Sequence, residues 1–216
     1  DRPVRPPPEP AAPDTVANCV MDLIHTLDWH GPRGWGLPSV IRDGVALTAA
    51  NIDKRWIDTD VAQLFLSKTG HKITVLNDAD AAGLAEMHYG AGRKARGTTL
   101  VVTAGTGLGT ALFRDNTLVP NCELGHILLY GEDAEKVASA AVRTNLKLSY
   151  QDWAKRFNDY LVRLEELFWP DLFIIGGEIS ANHEQFLHHL TVRTQVVPAA
   201  LRNNAGIIGA ATAVLQ

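Results

Sequence analysis

LVVTAGTGLGTALF, residues 100–113, places two apolar runs on either side of a turn with glycine at 105, 107 and 109. From Thr98 to Val119 the same pattern recurs as TTLVVTA, GTALFRD and TLVP, parted by the glycine turn and by Asp-Asn. Short apolar runs between turn residues predict a three-stranded antiparallel meander. That assignment removes two readings of the glycines. A Walker loop ends in GK[ST] and a dinucleotide fingerprint reads GxGxxG, each joining a strand to a helix. Here Thr110 stands where the last glycine would be, and another strand follows. What remains is a hairpin turn whose glycines take unusual φ and whose N–H groups form an anion-binding concavity, with the Thr106 hydroxyl as a further donor. On this stretch alone, a bare glycine hairpin is the alternative.

Upstream, Val16, Val20, Leu23, Ile24 and Leu27 recur at helical spacing behind Asp14, the expected N-cap. SVIRDGVALTAA (39–50) predicts a hairpin turning at Asp43-Gly44. DTDVAQLFLSKTG (58–70) predicts a helix capped by Asp58 or Thr59 and stopped by Gly70. KITVLND (72–78) then reads as a buried strand and ADAAGLAEMHYGAG (79–92) as a small-residue helix. Downstream, YQDWAKRFNDYLVRLEELFW (150–169) puts Trp153, Phe157, Leu161, Leu164 and Phe168 on one helical face, the pattern of a core helix. PDLFIIGGEIS (170–180) predicts a strand, Gly-Gly and a helix, TQVVPA (194–199) a last strand, and NNAGIIGAATAVL (203–215) a last helix. The chain is therefore an α/β mixture. Six prolines among the first thirteen residues hold that arm extended.

Composition narrows the partners. With 216 residues, 46% hydrophobic, the chain can bury one large core or two small ones. Its 20 Lys and Arg against 24 Asp and Glu give a net charge of -4, which offers no global attraction for nucleic acid or anionic membrane. Lys136, Arg143, Lys147, Arg193 and Arg202 are scattered and read as solvated surface. Cys19 and Cys122 lie far apart without CxxC spacing, which fits a reducing cytoplasm and indicates neither a disulfide framework nor structural zinc. No apolar run approaches the roughly 18 to 20 residues that span a bilayer.

Two further segments carry chemistry. LNDADAAGLAE (76–86) puts Asn77 and Asp78 at the carboxyl end of a strand, where α/β folds place ligands. A helix cap needing no ligand is the other use of Asp78. CELGHILLYGEDAEKVAS (122–139) supplies Glu123, His126 and Glu135 after the meander. ExxH lacks the second histidine of HExxH, so these are poor metal ligands. Carboxylates, an amide and an imidazole suit a polyhydroxyl substrate, whose hydroxyls both donate and accept.

LNDADAAGLAE, TAGTGLGTALF, ELGH, DAEKVAS and FIIGGEIS, in this order, resemble the ROK family of sugar kinases. AANIDKRW, LVPNCELGH, DAEKVASAAVR and RTQVVPAALRNNAGIIGAA are similar to the actinobacterial polyphosphate glucokinase branch of that family. The resemblance, from about Thr15 to the C-terminus, implies an actin-like ATPase (ribonuclease H-like) fold with two lobes and a central cleft. It implies a small lobe at 1–77 joined by the C-terminal helix 203–216, and a large lobe at 78–202. Asp78 matches the catalytic base for the glucose 6-hydroxyl; Asn77, Glu123, His126 and Glu135 match sugar-hydroxyl ligands. Gly105, Thr106 and Gly107 match a phosphate loop, and Gly176 and Gly177 the Gly-Gly at the donor site. The donor would be polyphosphate or ATP with Mg²⁺, and the protein a cytoplasmic homodimer. Zinc is not expected, because LLYGEDAEKVAS stands where zinc-holding relatives carry a CxCGxxGC run. A non-catalytic sugar-binding module of ROK-repressor type, or a degenerate fragment, is the alternative.

Members of that family open with a strand-turn-strand unit bearing an Asp-x-Gly-Gly phosphate loop, and no such stretch occurs in these 216 residues. The expectation is an incomplete N-terminal lobe and a chain that is impaired by itself. Losing a single preorganised donor costs about 10²-fold or more in rate. Supplying an N-terminal phosphate loop should therefore raise the specific activity by at least about 10²-fold; equal turnover by the two purified forms would refute this.

Overall fold

The computed structural model describes residues 5, 6 and 8–215. Residues 1–4 and Pro7 of the proline-rich arm, and Gln216 at the end of the expected C-terminal helix, lie outside the described residues. The chain divides into two compact units, Asp1–Asp78 with Ala210–Gln216, and Ala79–Gly209.

In the first unit, α1 (Pro13–Leu27) begins before Asp14. Its N-cap is Ala12, which makes no side-chain cap bond, and Pro13 takes the first turn, where its missing N–H is not needed. Asp14 instead lies in the first turn, where its charge complements the helix dipole. β1 (Gly34–Leu37) is followed by β2 (Ile41–Arg42) and β3 (Val45–Ala46), the expected hairpin, with Asp43 and Gly44 at φ 52° and 82°. Both values belong to the tight turn that matches strand twist. β4 (Thr59–Asp60) pairs with β3, so Thr59 is a ladder residue rather than a cap. The cap of α2 (Val61–Thr69) is Asp60, whose carboxylate accepts from the Gln63 N–H at 2.8 Å. Gly70 ends that helix at φ 70°, as expected.

β5 (Thr74–Asn77) pairs in parallel with β1. β1 lies inside GPRGWGLP, where glycine and proline conceal the strand from a reading by composition. Trp35 on it rests against Phe65 at 5.1 Å between ring centres. Leu37, Ile41, Ala46, Trp56, Val61 and Phe65 form the core of this unit. Trp56 buries its ring and donates its indole N–H to Ala11 O at 3.0 Å, which ties down the described end of the arm.

α3 (Asp78–Tyr89) follows β5 without a break. β6 (Thr98–Ala104), β7 (Leu108–Arg114) and β8 (Thr117–Val119) form the antiparallel meander predicted from the sequence. Then come the short ribbon β9 (Leu128–Leu129) and β10 (Glu132–Asp133), followed by α4 (Ala134–Ala138), α5 (Ala140–Asn145) and α6 (Tyr150–Phe168). β11 (Leu172–Gly176), β12 (Gln195–Pro198) and α7 (Ala205–Ala213) complete the order. The main sheet runs β12-β11-β6-β7-β8, with β11 parallel to both β6 and β12. The helix expected after Gly176–Gly177 is instead a run of 3₁₀ turns over Glu178–Gln185, with Asn182 outside helical geometry.

The core of the second unit is the buried face of α6 against β6 and β11. Trp153 stacks on Phe157 at 4.8 Å and meets Phe186 edge-on at 5.1 Å. Ser149 caps α6 by accepting from the Asp152 N–H. Among the described residues no helix is long and apolar enough to cross a membrane.

Glu86 on α3 is only 1% exposed, and its carboxylate accepts from the N–H groups of Ala91, Ala200 and Leu201 at 2.9, 3.0 and 2.7 Å. It thereby clamps the segment after β12 onto α3. Each such part-buried hydrogen bond to a charged group contributes about 1.5–3 kcal/mol. Glu86→Ala should therefore lower the unfolding free energy by at least about 3 kcal/mol in denaturant titrations; a loss under about 1 kcal/mol would show that water replaces the carboxylate.

Candidate active site

Asn77 and Asp78 stand where a strand gives way to a helix. Asn77 ends β5, is 7% exposed, and donates its amide N–H to Ser39 O at 3.1 Å. That bond orients the amide from behind. Asp78, the first residue of α3, is exposed. Two residues later the chain places a second carboxylate, Asp80, in a different role: it is buried and accepts from the Asn121 N–H at 2.8 Å. Identical side chains at NDAD thus part into an exposed group and a scaffold, a distinction no spacing rule supplies.

The segment from Asn121 to His126 is held at both ends. Besides Asp80, the Thr110 hydroxyl on β7 donates to Cys122 O and accepts from the Leu124 N–H at 3.1 Å. Gly125 passes so close to β7 that a Cβ there would lie 2.1 Å from Leu108 O. The glycine of ELGH is therefore a packing requirement. His126 projects from this segment, 42% exposed, with Nε2 3.9 Å from Glu123 and Nδ1 3.9 Å from Asp133. At that distance the contacts of His126 with the two carboxylates are electrostatic. Asp133, which also pairs with Lys136 at 3.6 Å, was not foreseen from the sequence. Glu135 sits half-buried on α4, the helix anchored by the Ala134 N–H on Ile127 O at 2.9 Å. Burial, then the charges of Asp80 and Glu123, push the Cys122 thiol above its ordinary value, so it stays protonated and is a poor nucleophile. Among the described residues no group of three His, Cys, Asp or Glu side chains is placed to hold a metal.

The glycine turn differs from its expected geometry. Gly105 and Gly109 do not adopt left-handed φ. Gly109 is required because a Cβ would meet Thr103 Oγ1 at 2.6 Å and the Ala79 Cβ at 2.8 Å. Around Gly105 the space is open, so its glycine leaves bare backbone at a surface. The turn is braced internally by the Gly105 N–H on Gly107 O and externally by the Ala141 N–H on Gly105 O, both at 3.0 Å. One N–H of the expected anion nest is therefore already engaged.

Gly105 and Thr106 line a cavity of about 280 Å³ shared with Arg143 and Thr144 of α5, Tyr150 of α6, and Glu178 and Asn182 beyond the Gly-Gly. Arg143 is half-buried here, which corrects its expected place on the solvated surface. Gly177 brings the Gly-Gly onto the turn: at φ 78° its backbone packs against that of Ala104. Gly176 pairs with Thr103 in the sheet. The second unit thus brings the turn, Arg143 of α5 and the segment after the Gly-Gly around one cavity.

The ROK family model matches residues 2–139. The chain is 44% identical over 207 residues to the polyphosphate glucokinase of Mycobacterium tuberculosis, covering 95% of this chain and 78% of that protein. The polyphosphate glucokinase of Mycobacterium leprae is 42% identical across 95% of this chain and 64% of its own length. Among solved structures, the inorganic polyphosphate/ATP-glucomannokinase of Arthrobacter sp. strain KM superposes with a TM-score of 0.93 at 44% identity, covering 98% of this chain and 86% of that one. A ROK glucokinase from Streptomyces griseus shares the fold with a TM-score of 0.76 at 22% identity, over 98% and 89% of the two chains. The mixed sheet and its helices are thus the actin-like ATPase fold.

A Cβ at position 177 would lie 2.6 Å from Ala104 O, at a φ that side chains rarely adopt. Gly177→Ala should cost about 1–3 kcal/mol of stability, read by thermal or chemical denaturation. An unchanged midpoint would mean that the turn shifts freely to make room.

Proposed function

The chain belongs to the ROK family, and we propose that it transfers a phosphoryl group from inorganic polyphosphate, and also from ATP, to the 6-hydroxyl of glucose. The likeness to polyphosphate glucokinases along nearly the whole chain carries this reading. The exposed carboxylate that opens α3 and the braced glycine turn support it.

In this mechanism Asp78 is the general base. Its carboxylate takes the proton as the glucose O6 attacks the terminal phosphorus in line, and the bridging oxygen leaves on the shortened polyphosphate or on ADP. Little covalent chemistry falls to the protein, so positioning and charge stabilisation supply most of the acceleration. Asn77, with its amide fixed by Ser39 O, and Glu123, His126 and Glu135 hold the sugar hydroxyls. Imidazole flanked by two carboxylates offers donors and acceptors in alternation, the pairing that hydroxyls require. An analogue lacking one hydroxyl would strand a partner, which is how such a site selects its sugar.

The donor phosphates lie along Gly105, Thr106, Gly107, Gly176 and Gly177. Bare glycine backbone at 105 permits their close approach. Glu178 is the carboxylate that lines the cavity and would face a Mg²⁺ ion carried mainly by the phosphates and its own waters, which would supply charge neutralisation there. In this reading the protein acts in the cytoplasm as a homodimer, its small lobe containing residues 1–77 and the C-terminal helix.

Incubation with glucose and polyphosphate, and separately with ATP, should yield glucose 6-phosphate. A form that binds glucose, seen as thermal stabilisation, yet transfers no phosphate from either donor would be a sugar-binding module instead. Within an active form, Asp78→Asn should lower kcat by about 10²- to 10⁴-fold, the usual contribution of a positioned base, while leaving the melting temperature nearly unchanged. Near wild-type turnover by this variant would remove Asp78 from the base role.

A further inference from the structure

Arg143 does more than line the cavity beside the glycine turn. Its guanidinium carbon lies 3.7 Å from the centre of the Tyr150 ring, the stacked arrangement of a cation on an aromatic face. Its Nε is shut off from solvent and makes no hydrogen bond, so the ring face covers that part of the group. Among the described residues no carboxylate forms an ion pair with this arginine, although Glu178 lines the same cavity. A half-buried guanidinium without a counter-ion, fixed in plane at a cavity wall, is a ready partner for an anion.

The helix that carries it is anchored to the turn. Trp153 donates its indole N–H to Ala138 O and Ser139 O at 3.1 and 3.0 Å, which holds the start of α5. Two residues before Arg143, the Ala141 N–H reaches Gly105 O. Gly105, Thr106 and Arg143 therefore share one wall of about 280 Å³ of space, slightly below the range of pockets that enclose drug-sized ligands. A short phosphate chain fits the character of this wall. A nucleobase seeking to stack on the Tyr150 ring would have to displace the guanidinium from it.

We propose that Arg143, held on Tyr150, is a donor-positioning residue that grips the phosphate chain in this cavity and favours polyphosphate over a nucleotide. The inference deepens the reading above and rests on it. Loss of the arginine removes charge-assisted hydrogen bonds to the chain and at the same time bares the Tyr150 ring. Affinity for tripolyphosphate should fall, and affinity for ATP should fall less, because base stacking on the freed ring offsets part of the loss.

Calorimetry on the full chain, with tripolyphosphate, ATP and glucose as separate probes, tests this. Arg143→Gln should weaken tripolyphosphate by about 10- to 100-fold, the scale of charge-assisted hydrogen bonds, with ATP weakened less and glucose affinity unchanged. Arg143→Lys, which keeps the charge and loses the planar fork, should recover part of the tripolyphosphate affinity. Tripolyphosphate binding unaffected by Arg143→Gln, or an equal loss for both donors, overturns the proposal alone. Wild-type chain that binds glucose but neither tripolyphosphate nor ATP overturns the donor reading and this proposal together. Unchanged glucose affinity in each variant serves as the check that it has folded.

Discussion

The parallel pairing of β11 with β6 is the constraint on which the rest of the second unit depends. Its register sets Gly176 beside Thr103, which brings the carboxyl ends of the two strands level. One strand end then continues into the glycine turn and the other into the Gly-Gly. Gly177 closes on the Ala104 backbone so tightly that no side chain fits. Two loops far apart in the chain thus become one backbone surface. Because the sheet is buried under α6, neither end can drift without disturbing packed side chains. The proposed role of this surface in phosphoryl transfer would draw on that rigidity, since donors that are already in place cost no reorganisation when a reaction occurs.

α6 extends the constraint to the cavity wall. Trp153 belongs to the aromatic cluster with Phe157 and Phe186, and its N–H also fixes the junction between α4 and α5. Core packing and placement of Arg143 are therefore coupled through a single side chain. The segment from Asn121 to His126 follows a different plan. Its backbone is pinned by Asp80 and Thr110, and Glu123 and His126 approach to 3.9 Å. The scaffold bonds are short and part-buried, and the Glu123 and His126 side chains are more exposed.

Much of the fold could be read locally. Asp43-Gly44, the meander from Thr98 to Val119 and the apolar face of α6 appear where the sequence places them, because each follows from turn chemistry or from periodicity within a few residues. The errors also have local causes. Asp14, Asp58 and Thr59 were all acceptable caps by type, but Pro13 starts one helix early and the pairing of Thr59 with Ala46 postpones the other to Asp60. β1 is hidden in the sequence because its glycines lower strand propensity, and only the partner strand β5 makes it a strand. Asn77, Asp78, Glu123 and His126 were legible in the sequence as residue types suited to hydroxyls. Asp133, Asp80 and Arg143 were not, since their significance lies in what stands next to them.

By itself the sequence determined the meander and the main helices, the absence of Walker and dinucleotide loops, and the succession of motifs that marks the ROK family. These depend on neighbours in the chain, and neighbours are what a sequence records. Tertiary structure alone decided why the glycines are there. Gly105 bares backbone, Gly109 and Gly125 admit close packing, and only Gly177 of these four requires left-handed φ. It also decided that Arg143 serves a cavity rather than the solvent, through contacts with Tyr150 and Gly105 on other elements. Burial and charge environment are set by residues distant in sequence, so they come into being only when the chain is packed.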